Sequence, residues 1–418
     1  MKKNVLPFLT AWLLLTICVS AVAQDRIECT VVNPLNGLRT NEPIVIRFAD
    51  VQKELPGYEG GKLAVYNGDL AICAQFDDLD GDGHWDELVF LTDLRPKEKK
   101  TFTFRLDAAS VSKQTDCDKE VQAQMFFHNP DRSITPTLEA SSTADNMYSK
   151  MYHHGPAWES DKIAYRLYFD KKTTVDVYGK KKYRLELADT KWYPTDEQLA
   201  DGYGDDILWV GNSVGVGTLK GWNGAEATHI DPMKKRTARI VVNDNLRTVV
   251  DMAVEGWQYN GQSIDVTARY IQYAHHRDMV TQVIIGGPAA SGNLMFSTGV
   301  QKVRESQVYS DHHELIAVWG TEYPQPDTVK YARETFGLGV IVPKKNIEKF
   351  ATDPLNHLII IKNNQQPVIE YYIVAAAQKE ENGYKTASEF FAYMEDLKQI
   401  VCNPVQIKLS HKSAVPAK

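Results

Sequence analysis

Cysteine is scarce in this chain, with 5 in 418 residues. The four that follow the N-terminal segment are widely spaced and form no Cys-x-x-Cys pair; they are Cys29, Cys73, Cys117 and Cys402. A thiol redox motif, a zinc ribbon and a disulfide-built scaffold are therefore not indicated. Individual disulfides are permitted, but the spacing does not determine their pairing.

Positive charge does not predominate, because 47 Lys and Arg stand against 54 Asp and Glu, for a formal net charge of −7. This balance argues against nucleic acid as a bulk partner. A local cationic cleft on an acidic surface can still take an anionic small substrate. A nucleotide-binding glycine loop is also missing, since residues 212–217 carry glycines but no lysine and no strand–helix setting. We therefore expect no organic cofactor.

A long apolar run occurs only at residues 5–19, between Lys2-Lys3 and an Ala-Val-Ala that precedes Gln24. This pattern predicts a secretory signal peptide over residues 1–23. The alternative, a lipoprotein acylated at Cys18, is disfavoured because Ile17 is large where such signals have a small residue. With no later run of transmembrane length, we expect an exported protein, periplasmic or extracellular, without membrane insertion.

Short strand patterns fill the rest of the chain and predict an all-β fold. We expect a small N-terminal β-sandwich over 24–128, a linker over 129–146 and a large antiparallel β-sandwich over 147–418. The predicted strands include 101–106, where Phe102 and Phe104 alternate with polar residues, and also 183–188 and 207–210. One late helix is predicted by a capping box, Thr386 to Glu389, and an apolar stripe: Phe390, Met394, Leu397 and Val401.

The most specific local motif is an acidic loop inside the N-terminal sandwich. Carboxylates at alternate positions around Gly83 match the start of a calcium loop, and Asp-Gly is also a strong hairpin signal. Val89 stands where a helix-type loop needs Glu, so the motif predicts a calcium-bound β-hairpin with a structural role. A metal-free acidic turn is the alternative. The expected ligands are Asp78, Asp80, Asp82, Asp86 and Glu87.

Residues 152–170 combine two imidazoles, an indole and a carboxylate at a Gly-Pro turn with a strand that has two distinct faces. The turn can deliver these groups to a sheet edge, so we expect an active site here rather than an ordinary surface turn. The expected catalytic residues are His153, His154, Arg166 and Tyr168. The expected sugar contacts from the same segment are Trp158, Glu159 and Lys162, with Lys162 and Arg166 on one strand face.

Other candidate groups lie farther along the chain. Histidine doublets occur at 153–154, 275–276 and 312–313, and three imidazoles brought together could hold zinc, although no His-x-His spacing supports a catalytic metal. His276 and Arg277 follow a strong strand and form a second candidate segment. Among tryptophans near glycine-rich loops we expect Trp222, like Trp158, to contact sugar, and Trp209 and Trp257 to lie in the core.

Four stretches in order carry a family resemblance: residues 77–90, 153–160 (His-His-Gly-Pro-Ala-Trp-Glu-Ser), 164–170 (Ala-Tyr-Arg-Leu-Tyr-Phe-Asp) and 206–215. Together they resemble a secreted bacterial family known as domain of unknown function 4861, over nearly the whole chain after residue 23. One branch of that family is similar to the ulvan oligosaccharide dehydratases. The resemblance implies an all-β enzyme of polysaccharide degradation. Its reaction would remove water from a uronic acid at a non-reducing end and leave a 4,5-unsaturated sugar.

Such an elimination needs a base, an acid and positive charge to disperse an enolate. We expect His153 or His154 as the base, Tyr168 as the acid, and Arg166 with Lys162 near the carboxylate. One alternative is a glycoside hydrolase acting on uronate-containing oligosaccharides, with Glu159 and either Asp205 or Asp206 as its carboxylates. The other is a non-catalytic carbohydrate-binding protein.

Overall fold

The computed structural model describes residues 26–106, 111, 117–143 and 147–413. The predicted signal peptide, residues 1–23, lies outside the described residues. Within them the chain is all-β, which confirms the predicted fold class: antiparallel sheets dominate, and the long helix lies near the C-terminus. In these ranges no helix is both long enough and apolar enough to cross a membrane.

The N-terminal part is a small β-sandwich. Its elements are β1 (Arg26–Val32), β2 (Arg39–Arg47), α1 (Phe48–Glu54), β3 (Ala64–Asn67), β4 (Leu70–Ala71), β5 (Gln75–Asp77), β6 (Glu87–Leu94) and β7 (Lys99–Arg105). One sheet has the order β1-β7-β3-β4 and the other β2-β6-β5. Ile27, Cys29 and Val31 alternate on β1 and are buried together with Phe102 and Phe104 of β7. Cys73 and Cys117 form a disulfide, whereas Cys29 and Cys402 are free.

The middle of the chain builds a five-stranded sheet that carries residues 157–167. The elements are β8 (Val121–Gln124), β9 (Phe126–His128), β10 (Ile134–Pro136), β11 (Glu139–Ser142), a 3-10 turn (Tyr152–His154), β12 (Ala157–Ser160), β13 (Ile163–Leu167), β14 (Val175–Gly179), α2 (Leu187–Thr190), α3 (Asp196–Ala200), β15 (Asp205–Asp206), β16 (Lys220–Trp222) and β17 (Ala227–Thr228). The sheet has the order β15-β14-β13-β12-β8.

The rest of the chain forms most of a nine-stranded antiparallel sheet. Its elements are β18 (Lys235–Asn243), β19 (Arg247–Tyr259), β20 (Gln262–Tyr273), β21 (Asp278–Ile285), a 3-10 turn (Gly287–Ser291), β22 (Met295–Gln301), β23 (Glu305–Ser310), β24 (Leu315–Glu322), β25 (Glu334–Ile341), a 3-10 turn (Lys344–Asn346), β26 (Ile347–Thr352), β27 (Asn356–Lys362), β28 (Val368–Ala377), α4 (Ala387–Cys402) and β29 (Gln406–Lys412). The sheet order is β11-β18-β19-β20-β21-β28-β25-β24-β23.

Both faces of this nine-stranded sheet are covered. One face packs against the sheet containing β12 and β13 and against a second five-stranded sheet of order β17-β16-β22-β27-β26, in one continuous apolar core. The opposite face packs against α4 and against the N-terminal sandwich. Alternate residues of one strand therefore enter different cores, as Val318 and Trp319 of β24 do.

Two predicted boundaries differ from the structure. The segment predicted as a linker, 129–146, contains β10 and β11, and β11 is an edge strand of the nine-stranded sheet. At the other end of the chain, β29 pairs antiparallel with β1, so residues 406–412 complete the N-terminal sheet rather than the large sandwich. Pairing with β1 satisfies backbone groups that an open sheet edge would leave exposed.

Two predicted strands, 183–188 and 207–210, are not strands. The backbone N–H groups of Glu186 and Leu187 donate to the Glu159 carboxylate, and that of Leu208 donates to Asp206. Side-chain acceptors therefore take up backbone N–H groups in both segments, although the Ile207 N–H still donates to the Val177 carbonyl of β14. An apolar alternation in sequence cannot reveal these acceptors.

The predicted helix is confirmed as α4, with its capping box between Thr386 and Glu389. Phe390 and Met394 on its apolar stripe are buried against the outer face of the large sheet. Two glycines of β25 make this close approach possible. A Cβ built on Gly337 would lie 2.6 Å from the Phe390 ring, and one on Gly339 would lie 2.4 Å from Met394.

A buried ion pair joins the N-terminal sandwich to the large sheet. Arg247, at the start of β19, donates through Nε to Asp77 at 2.5 Å and through Nη2 to Glu87 at 2.7 Å. These carboxylates flank the acidic loop that connects β5 to β6. Removing one partner of a buried pair leaves the other charge uncompensated, which typically costs about 3–5 kcal/mol.

We therefore expect Arg247→Ala to lower the free energy of unfolding by about 3–5 kcal/mol in urea denaturation. The matched control is Arg239→Ala, because Arg239 of β18 pairs with Glu139 of the neighbouring strand β11, and both side chains are 51% exposed. A pair of that kind contributes at most about 1 kcal/mol. Equal effects of the two substitutions would contradict the anchoring role of Arg247.

Candidate active site

The turn before β12 has a backbone that most residues avoid. Successive φ angles are 39° at His153, 69° at His154 and 156° at Gly155. A Cβ built on Gly155 would lie 2.0 Å from the Leu167 carbonyl oxygen, so this close approach requires glycine. The Phe169 N–H donates to the His154 carbonyl at 2.8 Å, which fastens the turn to the end of β13. Backbone strain of this kind is concentrated at functional sites.

His154 is the half-buried imidazole of the pair. Its Nδ1 lies 2.9 Å from the Tyr148 carbonyl oxygen. Because a carbonyl only accepts, Nδ1 carries the hydrogen and Nε2 keeps its lone pair. Burial lowers the pKa of His154 to about 4, so the ring is neutral near neutral pH. It is stacked on the Tyr148 ring with centroids 3.5 Å apart, and the Tyr168 ring lies parallel at 6.0 Å.

His153 is enclosed instead. It is 1% exposed, and neither ring nitrogen has a hydrogen-bond partner within the described residues. Its ring packs edge-on against Phe126 and Tyr152, and burial lowers its pKa to about 3. Of the two candidate bases, His154 is therefore the one that a substrate can reach.

Arg166 is the centre of a buried polar group that we call the Arg166 cluster: Arg166, Tyr168, Asp176, Tyr193 and Asp206. Its Nε and Nη2 both donate to Asp176, and Nη2 also donates to Asp206 at 3.1 Å and to the Tyr168 hydroxyl at 2.7 Å. Nη1 donates to the Tyr193 hydroxyl at 3.1 Å. With every guanidinium nitrogen engaged and 1% exposure, Arg166 cannot clamp a substrate carboxylate directly. It positions the residues around it.

The two carboxylates of the cluster share one guanidinium. Burial, reinforced by the neighbouring charge of Asp176, raises the pKa of Asp206 to about 8. Asp206 also accepts hydrogen bonds from Trp192 Nε1 at 3.2 Å and Gln325 Nε2 at 3.3 Å. The pair of carboxylates therefore holds one proton near neutral pH, because two adjacent buried anions cannot both be ionised at low cost.

Tyr168 links the protonated carboxylate pair to the stacked rings of His154 and Tyr148. It accepts from Arg166 and donates to Asp176 at 3.0 Å, and burial raises its pKa well above the ordinary value. Two rings of this region are exposed: Tyr193, a member of the cluster, is 43% exposed, and Tyr148 beside it is 36% exposed. Lys172 Nζ stands 5.4 Å from the centre of the Tyr168 ring and is the cation nearest to it that retains some exposure. A half-buried base and two exposed rings thus lie around a phenol that is itself 9% exposed.

Two other predicted sugar contacts, Trp158 and Glu159, are wholly buried, and this corrects their expected role. Trp158 faces the main core and donates from Nε1 to the Met279 sulfur. Glu159 forms an ion pair with Lys180 and accepts from backbone N–H groups. Both faces of β12 are covered, so neither side chain is placed to meet a ligand. The hydrolase assignment of Glu159 loses its geometric basis for the same reason.

The tryptophan predictions are also partly wrong. Trp222 is 6% exposed and packs in a small apolar cluster, whereas Trp209, expected in the core, is 49% exposed. Trp257 is buried as expected. Trp209 follows β15 in a segment without regular structure, where no covering layer reaches it.

Lys162, His276 and Arg277 lie apart from the Arg166 cluster, around a cavity of about 530 Å³. This cavity lies between the N-terminal sandwich, α4 and the outer face of the large sheet. The strand pattern predicted that Lys162 and Arg166 share one face of a strand. Lys162 instead lies in the turn between β12 and β13, outside the strand that carries Arg166. Arg277 forms a bidentate pair with Glu380, and His276 bonds Asp278 and the Asn41 carbonyl.

The acidic loop connects β5 and β6, which pair as a hairpin. Single carboxylate oxygens of Asp78, Asp80 and Asp86 all lie within 4.8 Å of one another. Asp78 accepts from the backbone N–H groups of Gly81 at 2.7 Å and Gly83 at 2.8 Å, which lowers its pKa. The other two expected ligands have different partners: Asp82 accepts from the His84 N–H, and Glu87 pairs with Arg247. Among the described residues the histidine doublets form no group with metal-ligand spacing.

The model of one protein family, described as a domain of unknown function (DUF4861), matches residues 31–407. The chain belongs to this family. No curated protein matches this DUF4861 chain.

Solved structures similar to this DUF4861 chain include an alpha-mannosidase from Enterococcus faecalis V583, with TM-score 0.44 and 10% identity, over 94% of this chain and 46% of that one. A protein of glycosyl hydrolase family 38 from Enterococcus faecalis has TM-score 0.44 and 9% identity, over 92% and 47%. The DUF4861 chain spans about half the length of both, and similarity at this level carries no inference about activity.

Several residues in and beside the Arg166 cluster of this DUF4861 chain were not predicted from the sequence. Asp176 stands between Val175 and Val177 in a fully buried strand, and a charge in such a strand signals a buried partner. Tyr148 and Tyr193 lie in loops with no periodicity and gave no signal. They join the site only through the fold.

The raised pKa of Asp206 predicts a pH dependence of stability. Below about pH 8 folded Asp206 keeps a proton that the unfolded chain releases above about pH 4. The free energy of unfolding should therefore fall as pH rises between these values, by at most about 1.4 kcal/mol per pH unit from this group. Urea denaturation at about pH 5, 6 and 7 should give a flatter slope for Asp206→Asn than for the wild type.

The control for that series is Asp201→Asn, which changes an exposed carboxylate. It should leave the wild-type slope unchanged. If Asp206→Asn and Asp201→Asn give the same slope as the wild type, Asp206 does not hold the proton.

Proposed function

We propose that this protein is a carbohydrate lyase that removes water from a uronic acid at the non-reducing end of an oligosaccharide. The observation that supports it most is that the neutral, half-buried imidazole of His154 lies parallel to the phenol ring of Tyr168. The hydroxyl of that phenol is hydrogen-bonded to the Asp176–Asp206 pair, which holds one proton. Elimination needs these two kinds of group close together. The family resemblance points to the same reaction.

In the proposed reaction His154 Nε2 takes the C5 proton, which is acidic because it lies α to the carboxylate. The electrons of the C5–H bond form the C4–C5 double bond, and the C4–O bond breaks. Tyr168 gives its hydroxyl proton to the departing oxygen, so that water leaves. The Asp176–Asp206 pair then returns a proton to Tyr168 through the hydrogen bond from its hydroxyl to Asp176. His154 releases the C5 proton to water, and the carboxylate pair takes up a proton from water, which restores both groups.

The charges around the cluster suit this sequence. Arg166 acts as a positioning residue, because it holds Tyr168 and both carboxylates rather than the substrate. Lys172 is the candidate for the substrate carboxylate, since its ammonium group lies over the Tyr168 ring and its side chain is 23% exposed. The substrate carboxylate would compete with Asp170, which pairs with Lys172 at 3.6 Å. A cation near the carboxylate stabilises the developing enolate. The bordering rings of Tyr148 and Tyr193 can pack against the C–H faces of a sugar.

Because His154 and Tyr168 belong to one stack, they approach a substrate from one side. We therefore expect a syn elimination. In D-glucuronate the C5 hydrogen and the 4-hydroxyl lie on the same face, whereas in L-iduronate and D-galacturonate they lie on opposite faces. A glucuronate terminus is thus the preferred substrate of the proposed site.

The test is steady-state kinetics on glucuronate-terminated oligosaccharides, following the ultraviolet absorbance of the conjugated product. His154→Ala and Tyr168→Phe should each lower turnover by about 10²–10⁴-fold, the range for loss of a general base or acid. Turnover should rise with pH through the His154 pKa of about 4 and fall through the Asp206 pKa of about 8. Arg166→Lys should lower turnover more than affinity, because lysine cannot hold both carboxylates and the phenol at once.

His313→Ala is the matched control, since that imidazole is exposed and distant in sequence from the cluster, and it should keep full turnover. Retained turnover in both His154→Ala and Tyr168→Phe would overturn the assignment. A new reducing end without new absorbance would support a glycoside hydrolase instead. Saturable binding without any product would support a carbohydrate-binding protein.

We also propose that the acidic loop binds one calcium ion with a structural role, held by Asp78, Asp80 and Asp86. Three carboxylates with oxygens within 4.8 Å of one another form a hard, oxygen-only donor set, which is the kind that Ca²⁺ prefers. Asp82 does not belong to this group of oxygens, and Glu87 pairs with Arg247 instead. No catalytic step depends on this ion.

Calcium at about 100 times its dissociation constant should stabilise the folded chain by about 2.7 kcal/mol. Thermal unfolding with calcium and with a chelator should show this difference in the wild type and lose it in Asp80→Asn. Asp69→Asn, an exposed carboxylate on the β3–β4 turn, is the control and should behave as the wild type. If the melting temperature of all three proteins is the same with calcium and with a chelator, the site is refuted.

A further inference from the structure

The cavity of about 530 Å³ has a size typical of small-molecule sites, which run from about 300 to 1,000 Å³. Three separate parts of the fold enclose it: β2 and the acidic loop of the N-terminal sandwich, the outer face of β19–β21 and β28, and helix α4. None of its lining residues belongs to the Arg166 cluster. The proposed dehydratase chemistry therefore makes no use of it.

One end of the cavity carries a cation, Lys162, that has no ion-pair partner among the described residues. Lys162 Nζ has no hydrogen bond or ion pair among the described residues and lies 5.8 Å from the Tyr183 ring centre. Its half-buried position and the nearby positive charge of Arg277 lower its pKa. The neighbouring carboxylates have other partners, because Glu380 pairs with Arg277, Asp278 with His276 and Asp161 with His275. An anion bound beside Lys162 would relieve this imbalance.

Tyrosine rings line the same end. Tyr384 and Tyr393 stack with centroids 5.0 Å apart, and Tyr183 bonds both Arg277 and the Asn382 carbonyl. Such rings present an apolar surface with a polar rim, which suits a ligand that has both C–H faces and hydroxyl groups. A bare inorganic anion would leave these surfaces unused.

Farther along the sheet the cavity offers acceptors. Glu370 lies across from Gln282, four residues along β21 from Asp278, or on the order of 13 Å. Glu370 accepts from Gln282 Nε2 at 3.0 Å, and Glu42 accepts from Arg39 at 2.8 Å on the opposite wall. A single sugar ring with its carboxylate on Lys162 does not span about 13 Å, so these carboxylates would accept only from hydroxyl groups of a further sugar residue in a longer ligand.

We propose that this cavity binds an acidic sugar, with the sugar carboxylate on Lys162, as a second ligand site separate from the Arg166 cluster. The proposal does not depend on the dehydratase assignment. A protein with two such sites would hold one acidic sugar residue for chemistry and a second one for affinity.

The test is isothermal titration calorimetry of the full chain with sodium D-glucuronate, D-glucose and sodium acetate as separate probes. We expect binding of glucuronate and none of glucose or acetate at the same concentration. Lys162→Gln should weaken glucuronate binding by about 10-fold or more, as expected for loss of a charge-assisted hydrogen bond. Lys162→Arg keeps the charge and should retain most of the affinity, which separates loss of the cation from loss of the fold.

One further variant locates the ligand. Lys345→Gln removes an exposed lysine away from the cavity and should bind glucuronate as the wild type does. Unchanged affinity in Lys162→Gln, or equal binding of acetate or glucose, would overturn the proposal. Absence of glucuronate binding to the wild type would overturn it as well, while leaving the kinetic test of the Arg166 cluster unaffected.

Discussion

The structure depends on a nine-stranded antiparallel sheet whose two faces are both buried. Two five-stranded sheets cover one face, and α4 with the N-terminal sandwich covers the other. Such a sheet contributes apolar area on both sides, which is the main driving force for folding. It also makes an unpaired charge along its central strands costly. Charges are therefore confined to places where a partner reaches them.

The Arg166 cluster and the cavity both lie where the apolar layers that cover the sheets end. The outer surface of the β12–β15 sheet carries Arg166 and Asp176, which no apolar layer could bury alone. They are neutralised by one another and by Asp206 of β15, the edge strand of the same sheet. The low dielectric that makes such a group costly also keeps a proton on the carboxylate pair. The same burial that organises the cluster thus supplies its acid–base character.

The cavity on the opposite side of the large sheet has a different origin. It lies where the N-terminal sandwich and α4 meet the sheet without filling the space between them. Arg247 links this region to the acidic loop, because its partners Asp77 and Glu87 flank the loop and Glu87 and Leu79 also line the cavity. The conformation of the acidic loop and the shape of the cavity therefore both depend on the ion pairs of Arg247.

Local patterns in the sequence determined the parts of this protein that depend on neighbouring residues. Alternation along a strand, the capping box of Thr386 and Glu389, and the Asp-Gly hairpin each involve residues a few positions apart, and all three are found in the structure. The same is true of the all-β class. Physical rules about spacing act within one element, so one element's sequence reveals them.

Tertiary structure alone decided which of these residues meet. Arg166 and Asp206 are 40 residues apart and Arg247 and Asp77 are 170 apart, so no local pattern contains either pair. The choice of His154 over His153, the burial of Trp158 and the separation of Lys162 from Arg166 all follow from layers packed on both sides of β12 and β13. Burial is a property of the surrounding layers, and a side chain's own segment does not carry that information.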